Sequence, residues 1–524
     1  SILAQLLMSL NRYLDGEAAK HITLSTRVLI YKRVNSLVGL APFENPKIYD
    51  TIQLAEQGAR YGTTQALRTL VNCMRSSVTI FALFGVLLSV NPLLAAGIGL
   101  SVLPQLFAQL HMGRQRFDLA RHNSLKERRM QYFGHILAGA QFAKEVRLFG
   151  LADHFMGAFR GVWGEIHTSQ RTQTRRELRL QSGLDLISNG VSALVFVAVV
   201  LQAFEGRLSL GDVTLYTSAF ISVQAALISI TRSFSSLGEG ALFYSSFTDL
   251  LALTEPLALA DSVRPVQPLR AGIELRNVSF RYGEDGPWVL RNVHLYIPAG
   301  RCTAVVGLNG AGKTTLVKLL TRLYDPTEGE ILWDGTDIRA FDPTDLRRHM
   351  SVVFQDFIRY ELSVQQNVGL GDVNRMEGGE HVRRAATQAG VDEAIRKLPQ
   401  DYDTILSRWL KEGSVGVDLS GGEWQKIAIA RAFMRQGTAD LLVLDEPTAA
   451  LDAEAEQELY SRFVELMQGH TSLLISHRFS TIRMADLVVV LDNGAISEHG
   501  THDELLLLSG SYAKLYNMQA SQYR

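Results

Sequence analysis

The chain has almost no cysteine, a long interval without proline, and stretches with no charge at all. Only Cys73 and Cys302 occur in 524 residues, so neither a disulfide framework nor a cysteine-based zinc site is available. Lys and Arg number 52 against 53 Asp and Glu, which leaves no basic excess for coating nucleic acid. With 47% hydrophobic and 20% charged residues, a wholly disordered chain is excluded. No proline lies between Pro104 and Pro256, which suits long unbroken helices. Pro256, Pro265 and Pro268 then mark a linker, and after Ala271 the texture turns to short β-rich runs between Gly and Asp turns. The chain is therefore read as a helical half over 1–255, a linker over 256–271 and an α/β half over 272–524.

The helical half reads as membrane-spanning. From Ser76 to Gly113 there is no Asp, Glu, Lys or Arg, too long for one span of ~20 residues. Asn91-Pro92 near its middle suggests two helices joined by a turn. Residues 186–204 and 213–231 are also charge-free and form a second hairpin around Glu205–Asp212. Residues 111–180 carry 13 Lys/Arg against 6 Asp/Glu, and residues 11–75 carry 9 against 5. The excess places these two stretches in the cytosol and the hairpin turns outside. Ser1–Leu10 is apolar without an initiator Met or a charged flank, so it does not read as a signal peptide. It reads as the inner end of a span already under way. An upstream segment and six spans are expected in the intact subunit. A helix from about residue 51 to residue 90 would be ~60 Å long, twice the hydrocarbon thickness. The helices should therefore continue into the cytosol, with bends near Glu44–Asp50 and Val146–Ala152.

The second half carries phosphate chemistry. The apolar run at 302–306 leads into Gly307-Leu308-Asn309-Gly310-Ala311-Gly312-Lys313-Thr314, followed by a helix-compatible segment from Thr315. Strand, Gly-rich turn and helix are the required context of a P-loop. Glycines let backbone N–H groups curl around phosphates, and the helix start adds positive potential. Lys313 would reach the β and γ phosphates, and Thr314 would ligate Mg²⁺. Residues 441–444 form an apolar strand ending in Asp445-Glu446. A strand beside the P-loop strand would bring Asp445 to the metal and leave Glu446 to polarise a water. His477 follows another apolar run and is either structural or presented to the γ-phosphate. Tyr282 either stacks on adenine or belongs to the core. Ser420 is a natural N-cap for a helix from residue 421, and Gly421 and Gly422 permit an anion to approach its start. One chain thus holds a second anion-ready helix start that its own P-loop does not explain.

These residues together resemble the ATP-binding cassette (ABC) exporters in half-transporter form, membrane part first and cassette second. GLNGAGKT at 307–314 resembles Walker A, and LLVLDE at 441–446 resembles Walker B with its catalytic glutamate. LSGGEWQ at 419–425 is similar to the family signature. Gln355 matches the Q-loop, Ala449–Asp452 the D-loop, His477 the switch histidine and Tyr282 the adenine-stacking position. The resemblance implies an all-α transmembrane domain of the six-span exporter type, its first span missing, followed by an α/β P-loop cassette. It implies ATP and Mg²⁺ as ligands, with Thr314, Gln355 and Asp445 at the metal and Glu446, His477, Lys313 and Gln355 in hydrolysis. It further implies a head-to-tail dimer, in which Ser420, Gly421, Gly422, Gln425 and Asp452 face nucleotide held by the other cassette. The simplest dimer is two copies of this chain in a cell membrane, with the cassettes cytosolic, no nucleic-acid partner, and the bends acting as coupling helices.

The segment 411–418 lacks the second acid-rich half common before the signature, and Trp424 replaces a commoner pattern. The run 407–435 resembles exporters found with lanthipeptide and other modified-peptide clusters, which points to a peptide substrate. A lipid or multidrug exporter of the same architecture is the alternative. A regulator that binds ATP without hydrolysis is disfavoured by Glu446, His477, Lys313 and Ser420, and a soluble cassette ATPase by the charge-free spans. Gln105, Gln202 and Gln224 either face a cavity or join helices, and Asp185 is either a gating charge or an interfacial residue.

Overall fold

The computed structural model describes residues 2–90, 92–205, 209–254, 257, 263–407, 417–446, 469–476 and 478–520. Contacts divide the chain into two compact units, Ser1–Ser36 with Asn45–Thr254, and Leu37–Glu44 with Glu255–Arg524. In chain order, α1 (Ile2–Ser36) is followed by the short α2 (Ala41–Glu44), then α3 (Pro46–Val90), α4 (Pro92–Ala138), α5 (Ala143–Leu148), α6 (Ala152–Phe204) and α7 (Leu210–Ala252). All but α2 belong to the first unit.

The charge-free run 76–113 falls on the end of α3 and the start of α4, with Asn91 outside the described residues. Among the described residues, α6 and α7 contain windows long and apolar enough to cross a membrane. At 1.5 Å per residue α3, α4 and α6 are roughly 68–80 Å long, well beyond a hydrocarbon core. Within this unit α3 lies along α7 and α4 along α6, so the hairpins α3–α4 and α6–α7 exchange partners. Charged residues tie the helices where they leave the apolar stretches. Arg116 on α4 grips Glu177 on α6 through Nε (2.9 Å) and Nη2 (2.7 Å), and Arg128 pairs with Asp50 on α3 at 2.5 Å.

The first bend comes earlier than the sequence suggests, at residues 37–45 rather than 44–50. Asn45 Oδ1 accepts from the Lys47 N–H at 3.0 Å, and Pro46 takes the first helical position, where a missing N–H costs nothing. The second bend is α5, which ends at Leu148 just before Gly150 with φ +62°. The sequence reading assigns all of 1–255 to the helical half, but contacts move Leu37–Glu44 out of it.

The second unit opens with β1 (Gly272–Arg281) and β2 (Trp288–Pro298), then β3 (Cys302–Val306), α8 (Lys313–Leu320), β4 (Glu328–Trp333) and β5 (Thr336–Asp337). It continues with α9 (Pro343–Arg348), β6 (Met350–Val353), α10 (Val364–Gly369), α11 (Glu380–Gln388), α12 (Asp392–Arg396), α13 (Gly421–Phe433), β7 (Leu441–Asp445), β8 (Thr471–Ile475), β9 (Leu487–Asp492) and β10 (Ala495–Gly500). One sheet has the order β2-β1-β4-β5 and is antiparallel; the other has the order β10-β9-β3-β8-β7-β6, parallel from β9 to β6. Every residue of β3 is buried, as a central parallel strand requires. A core from Ile273 through Leu316, Trp333 and Val489 lies between the sheets and α8. A second core joins Val364, Val382, Trp424 and Ile427 beside β6 and β7.

Leu37–Glu44 is held on this unit by backbone and side chain. The Leu40 N–H donates to the Leu323 carbonyl at 2.9 Å, and Leu40 and Ala41 pack on the first core. Arg347 on α9 donates to the carbonyls of Thr321 (3.0 Å), Arg322 (2.6 Å) and Val38 (3.1 Å). One guanidinium thus satisfies the exposed C-terminal end of α8 and fastens the upstream segment. Replacing it leaves three acceptors without a charged donor, each worth about 1–2 kcal/mol. Arg347→Met should therefore lower the unfolding midpoint of the detergent-solubilised protein by about 6 °C or more. Arg348→Met, whose side chain is 73% exposed and only 3.9 Å from Asp345, should move it by no more than about 1 °C. Equal shifts would refute the clamp.

Candidate functional site

The candidate site forms where the parallel strands end. After β3 the chain turns through Gly307–Gly312 into α8. Gly312 caps the helix with φ +105°, and a Cβ there would meet Leu290 Cδ2 at 2.7 Å. A Cβ on Gly307 would come within 2.2 Å of the Leu491 carbonyl oxygen, so neither position accepts a side chain. Lys313, only 7% exposed, donates to the carbonyls of Gly307 (2.8 Å) and Leu308 (3.1 Å). Burial draws its ammonium below the ordinary lysine range, while Glu446 and Asp445 act in the opposite sense.

Asp445 ends β7 and is 1% exposed, and among the described residues neither carboxylate oxygen has a hydrogen bond of ordinary geometry. Burial foremost pushes it up to about 6; the Thr314 hydroxyl favours the ionised form, and Glu446 and Asp356 oppose it. Thr314 is thus near enough to matter without completing the bond. Glu446 leaves the strand in the left-handed region, φ +46°, with its N–H still on the Ile475 carbonyl at 2.9 Å. Such backbone in a non-glycine residue is held by its surroundings and turns the side chain out of the strand's alternation. The Gln355 Nε2 donates to its Oε2 at 2.8 Å. Gly307–Gly310, Gly312–Thr315, Gln355 and Glu446 line one cavity of about 820 Å³.

The expected adjacency of the β7 and P-loop strands is corrected here. β8 lies between them, because the sheet order is β3-β8-β7. Strand neighbours in a parallel sheet are set by crossovers, which a local sequence pattern does not encode. Tyr282 follows β1 and is 36% exposed, with its hydroxyl 3.1 Å from Thr315 Oγ1 on α8. It is neither a core residue nor part of the cavity lining, but a half-exposed ring fastened to the P-loop helix. Ser420 caps α13 in a reciprocal box: its Oγ accepts from the Glu423 N–H (3.3 Å) and Glu423 Oε2 accepts from the Ser420 N–H (2.8 Å). Gln425 is buried. None of Ser420, Gly421, Gly422 and Gln425 lines the P-loop cavity. His477, Ala449–Asp452 and Lys411–Gly416 lie outside the described residues. Ala311 packs in the core behind the loop, and Asp185 sits exposed on α6.

Several lining residues carry no motif. Ser476 follows β8, while Leu515 and Met518 come from the C-terminal helix Ser511–Ala520. Apolar helix residues give no sequence signal of a phosphate site. Glu44 is the other surprise: its Oε1 accepts from Lys318 Nζ at 2.8 Å and its Oε2 accepts from the Tyr324 hydroxyl. Burial would raise the Glu44 carboxyl, but these two bonds and the Lys318 charge hold it below the usual carboxylate range.

An unpaired buried carboxylate destabilises the ligand-free fold. Asp445→Asn should raise ligand-free stability by about 1–2 kcal/mol, measured as a higher unfolding midpoint. Loss of ligand-free stability in this variant would contradict the geometry described for Asp445.

Comparison with known proteins places these motifs in context. The ABC transporter family profile matches residues 290–449. Over 521 residues the chain is 31% identical to the subtilin transport ATP-binding protein SpaT of Bacillus subtilis, covering 98% of this chain and 83% of that protein. It is 38% identical over 330 residues to the ATP-dependent lipid A-core flippase of Syntrophus aciditrophicus (strain SB), covering 63% of this chain and 53% of the flippase. The solved structure of a bacterial Atm1-family ABC exporter with ATP bound is similar to 99% of this chain and 88% of its own, with TM-score 0.81 and 24% identity. That last likeness concerns the fold.

Proposed function

The chain belongs to the ABC transporter family as an exporter-type half-subunit, an ATPase of the cell membrane with a cytosolic cassette, and from that premise we propose that two copies of it clasp two ATP molecules and export a peptide. The observation that carries the reading is the separation of two anion-ready elements in one cassette. The P-loop cavity holds Lys313, Gln355 and Glu446, while the capped start of α13 lies outside it. Each chain supplies one P-loop and one signature, so a head-to-tail pair completes two sites by mutual exchange. Ser420, Gly421, Gly422 and Gln425 of one copy then face the nucleotide held by the other, with Asp452 beside them.

Lys313 would leave its own loop's carbonyls for the β and γ phosphates as the loop N–H groups take the chain of oxygens. Tyr282 stacks on adenine. Glu446 orients and deprotonates the attacking water, Gln355 fixes the Glu446 carboxylate, and His477 stabilises the γ-phosphate. Mg²⁺ fits the residues present: among the described residues Asp445 is a buried carboxylate without a hydrogen-bond partner, and it, the Thr314 hydroxyl and the Gln355 amide oxygen are hard oxygen donors. When bound, the ion neutralises phosphate charge, and Thr314, Asp445 and Gln355 would hold it.

Two observations support a peptide cargo. A relative that matches nearly the whole chain is named for subtilin transport, and residues 407–435 resemble modified-peptide exporters. The flippase match leaves over a third of the chain uncovered, so lipid export is the second reading.

Glu446→Gln should leave ATP affinity within about threefold and slow hydrolysis by at least ~10²-fold. Unchanged turnover would refute the assigned base. In lipid nanodiscs with Mg-ATP that variant should be a dimer of identical chains, and a monomer would overturn the pairing. ATPase stimulation across a panel of modified peptides, lipids and drugs should rise with peptides. A rise with lipids alone would transfer the assignment to the second reading.

A further inference from the structure

Four side chains run from the upstream segment to the nucleotide-facing helix. Glu44 accepts from Lys318 Nζ at 2.8 Å and from the Tyr324 hydroxyl. The Lys318 ammonium lies over two aromatic rings, 5.3 Å from the centre of Tyr282 and 5.7 Å from that of Tyr324. Those rings meet edge to face at 5.4 Å, and Phe280 packs edge-on against both. The Tyr282 hydroxyl closes the circuit on Thr315 Oγ1 at 3.1 Å. Thr315 and Lys318 stand three residues apart on α8, hence on one face of that helix, two residues beyond the lysine of the P-loop.

We propose that Glu44 is a positioning residue for nucleotide binding, which holds Lys318 against Tyr282 and so sets the ring that receives the base. The inference rests on the reading of Tyr282 as the base-stacking residue.

A lysine stem is long and its ammonium strongly hydrated, so without a carboxylate it spends much of its time in water away from the rings. Glu44 removes that freedom by taking one N–H, and it fixes Tyr324 with its other oxygen. An ammonium over an aromatic ring draws on the π cloud. With Lys318 placed over Tyr282 and the hydroxyl tied to Thr315, the ring is oriented before a purine arrives, which lowers the ordering cost of stacking. Glu44 is itself immobilised, because Leu40 is bonded to Leu323 and Val38 to Arg347. Two residues after Glu44 the chain enters α3 at Pro46, the helix that leads into the charge-free run 76–113.

The test uses the full chain in nanodiscs, with steady-state ATPase and GTPase kinetics. Tyr282→Ala should raise the KM for ATP by about 5- to 150-fold, the range of one lost base stack. Glu44→Gln should raise it by about 3- to 10-fold with kcat within twofold, and Glu44→Asp should restore most of the loss. The double variant Glu44→Gln/Tyr282→Ala should be no worse than Tyr282→Ala alone, because the first change acts through the second residue. Tyr324→Phe deletes one hydroxyl from Glu44 and keeps the ring. It should raise KM by about two- to threefold, and serves if Glu44→Gln does not fold.

A Glu44→Gln or Tyr324→Phe enzyme with unchanged KM, alongside an impaired Tyr282→Ala, overturns the positioning role and leaves base stacking intact. Additive losses in the double variant, or a fall in kcat without a rise in KM, overturn it as well. An unimpaired Tyr282→Ala enzyme instead removes the base-stacking reading itself.

Discussion

Val305, Ile475 and Asp445 stand side by side across β3, β8 and β7, and Val353 of β6 pairs with Leu444 one step below. This shared register brings the Gly307–Gly312 turn, Ser476, Glu446 and Gln355 to one edge of the sheet. Side chains alternate across a strand, so a slip of one residue in β7 would turn Asp445 away and bring an apolar neighbour into its place. The register is protected by burial, since β3 and β8 are covered at every residue. Each mismatched position would expose or strand an apolar side chain at about 1.5–3 kcal/mol. The chemistry at the sheet edge is thereby tied to a core that contains none of it.

How much of this was legible depends on the distance over which each feature is encoded. The P-loop could be read because its residues are consecutive and each has a local reason: Gly312 for a left-handed cap, Gly307 for a close approach, Lys313 for charge. The capping box of Ser420 and Glu423 is equally local, being three residues apart. The proline-free stretch and the charge-free runs foretold long helices, and α3, α4 and α6 are long. Strand order was not legible, since nothing in residues 441–445 says that residues 471–475 will lie between them and β3. Glu44 and Lys318 are 274 positions apart, and neither residue type is unusual where it stands. The first bend lies a few residues before Glu44–Asp50 because Asn45-Pro46 is a sound helix start for α3.

Arginine recurs as a fastener of main-chain oxygen in the cassette. Arg347 takes three carbonyls, Arg435 takes those of Arg347, Met350 and Gly371, and Arg431 takes those of Asn367 and Ile358. A rigid fork of five donors suits carbonyls that helix ends and loops leave open. Arg347, Arg431 and Arg435 line a cavity of about 290 Å³ with Phe354 and Leu370. Its charge is largely spent on backbone oxygen. Such bonds hold loops in place through main-chain oxygen alone.

The place of Leu37–Glu44 bears on the order of events during synthesis. The ribosome delivers this segment about 230 residues before β1, yet its seat is built from α8, Leu323 and Arg347. A contact of such sequence separation closes late. Until α8, Leu323 and Arg347 have emerged, Leu37 and Leu40 have no apolar surface of the second unit to cover them. A cassette fragment cut at Gly272 would carry the opposite defect, an apolar seat with its strap missing, and supplying residues 37–44 as a separate peptide would restore the covering in trans.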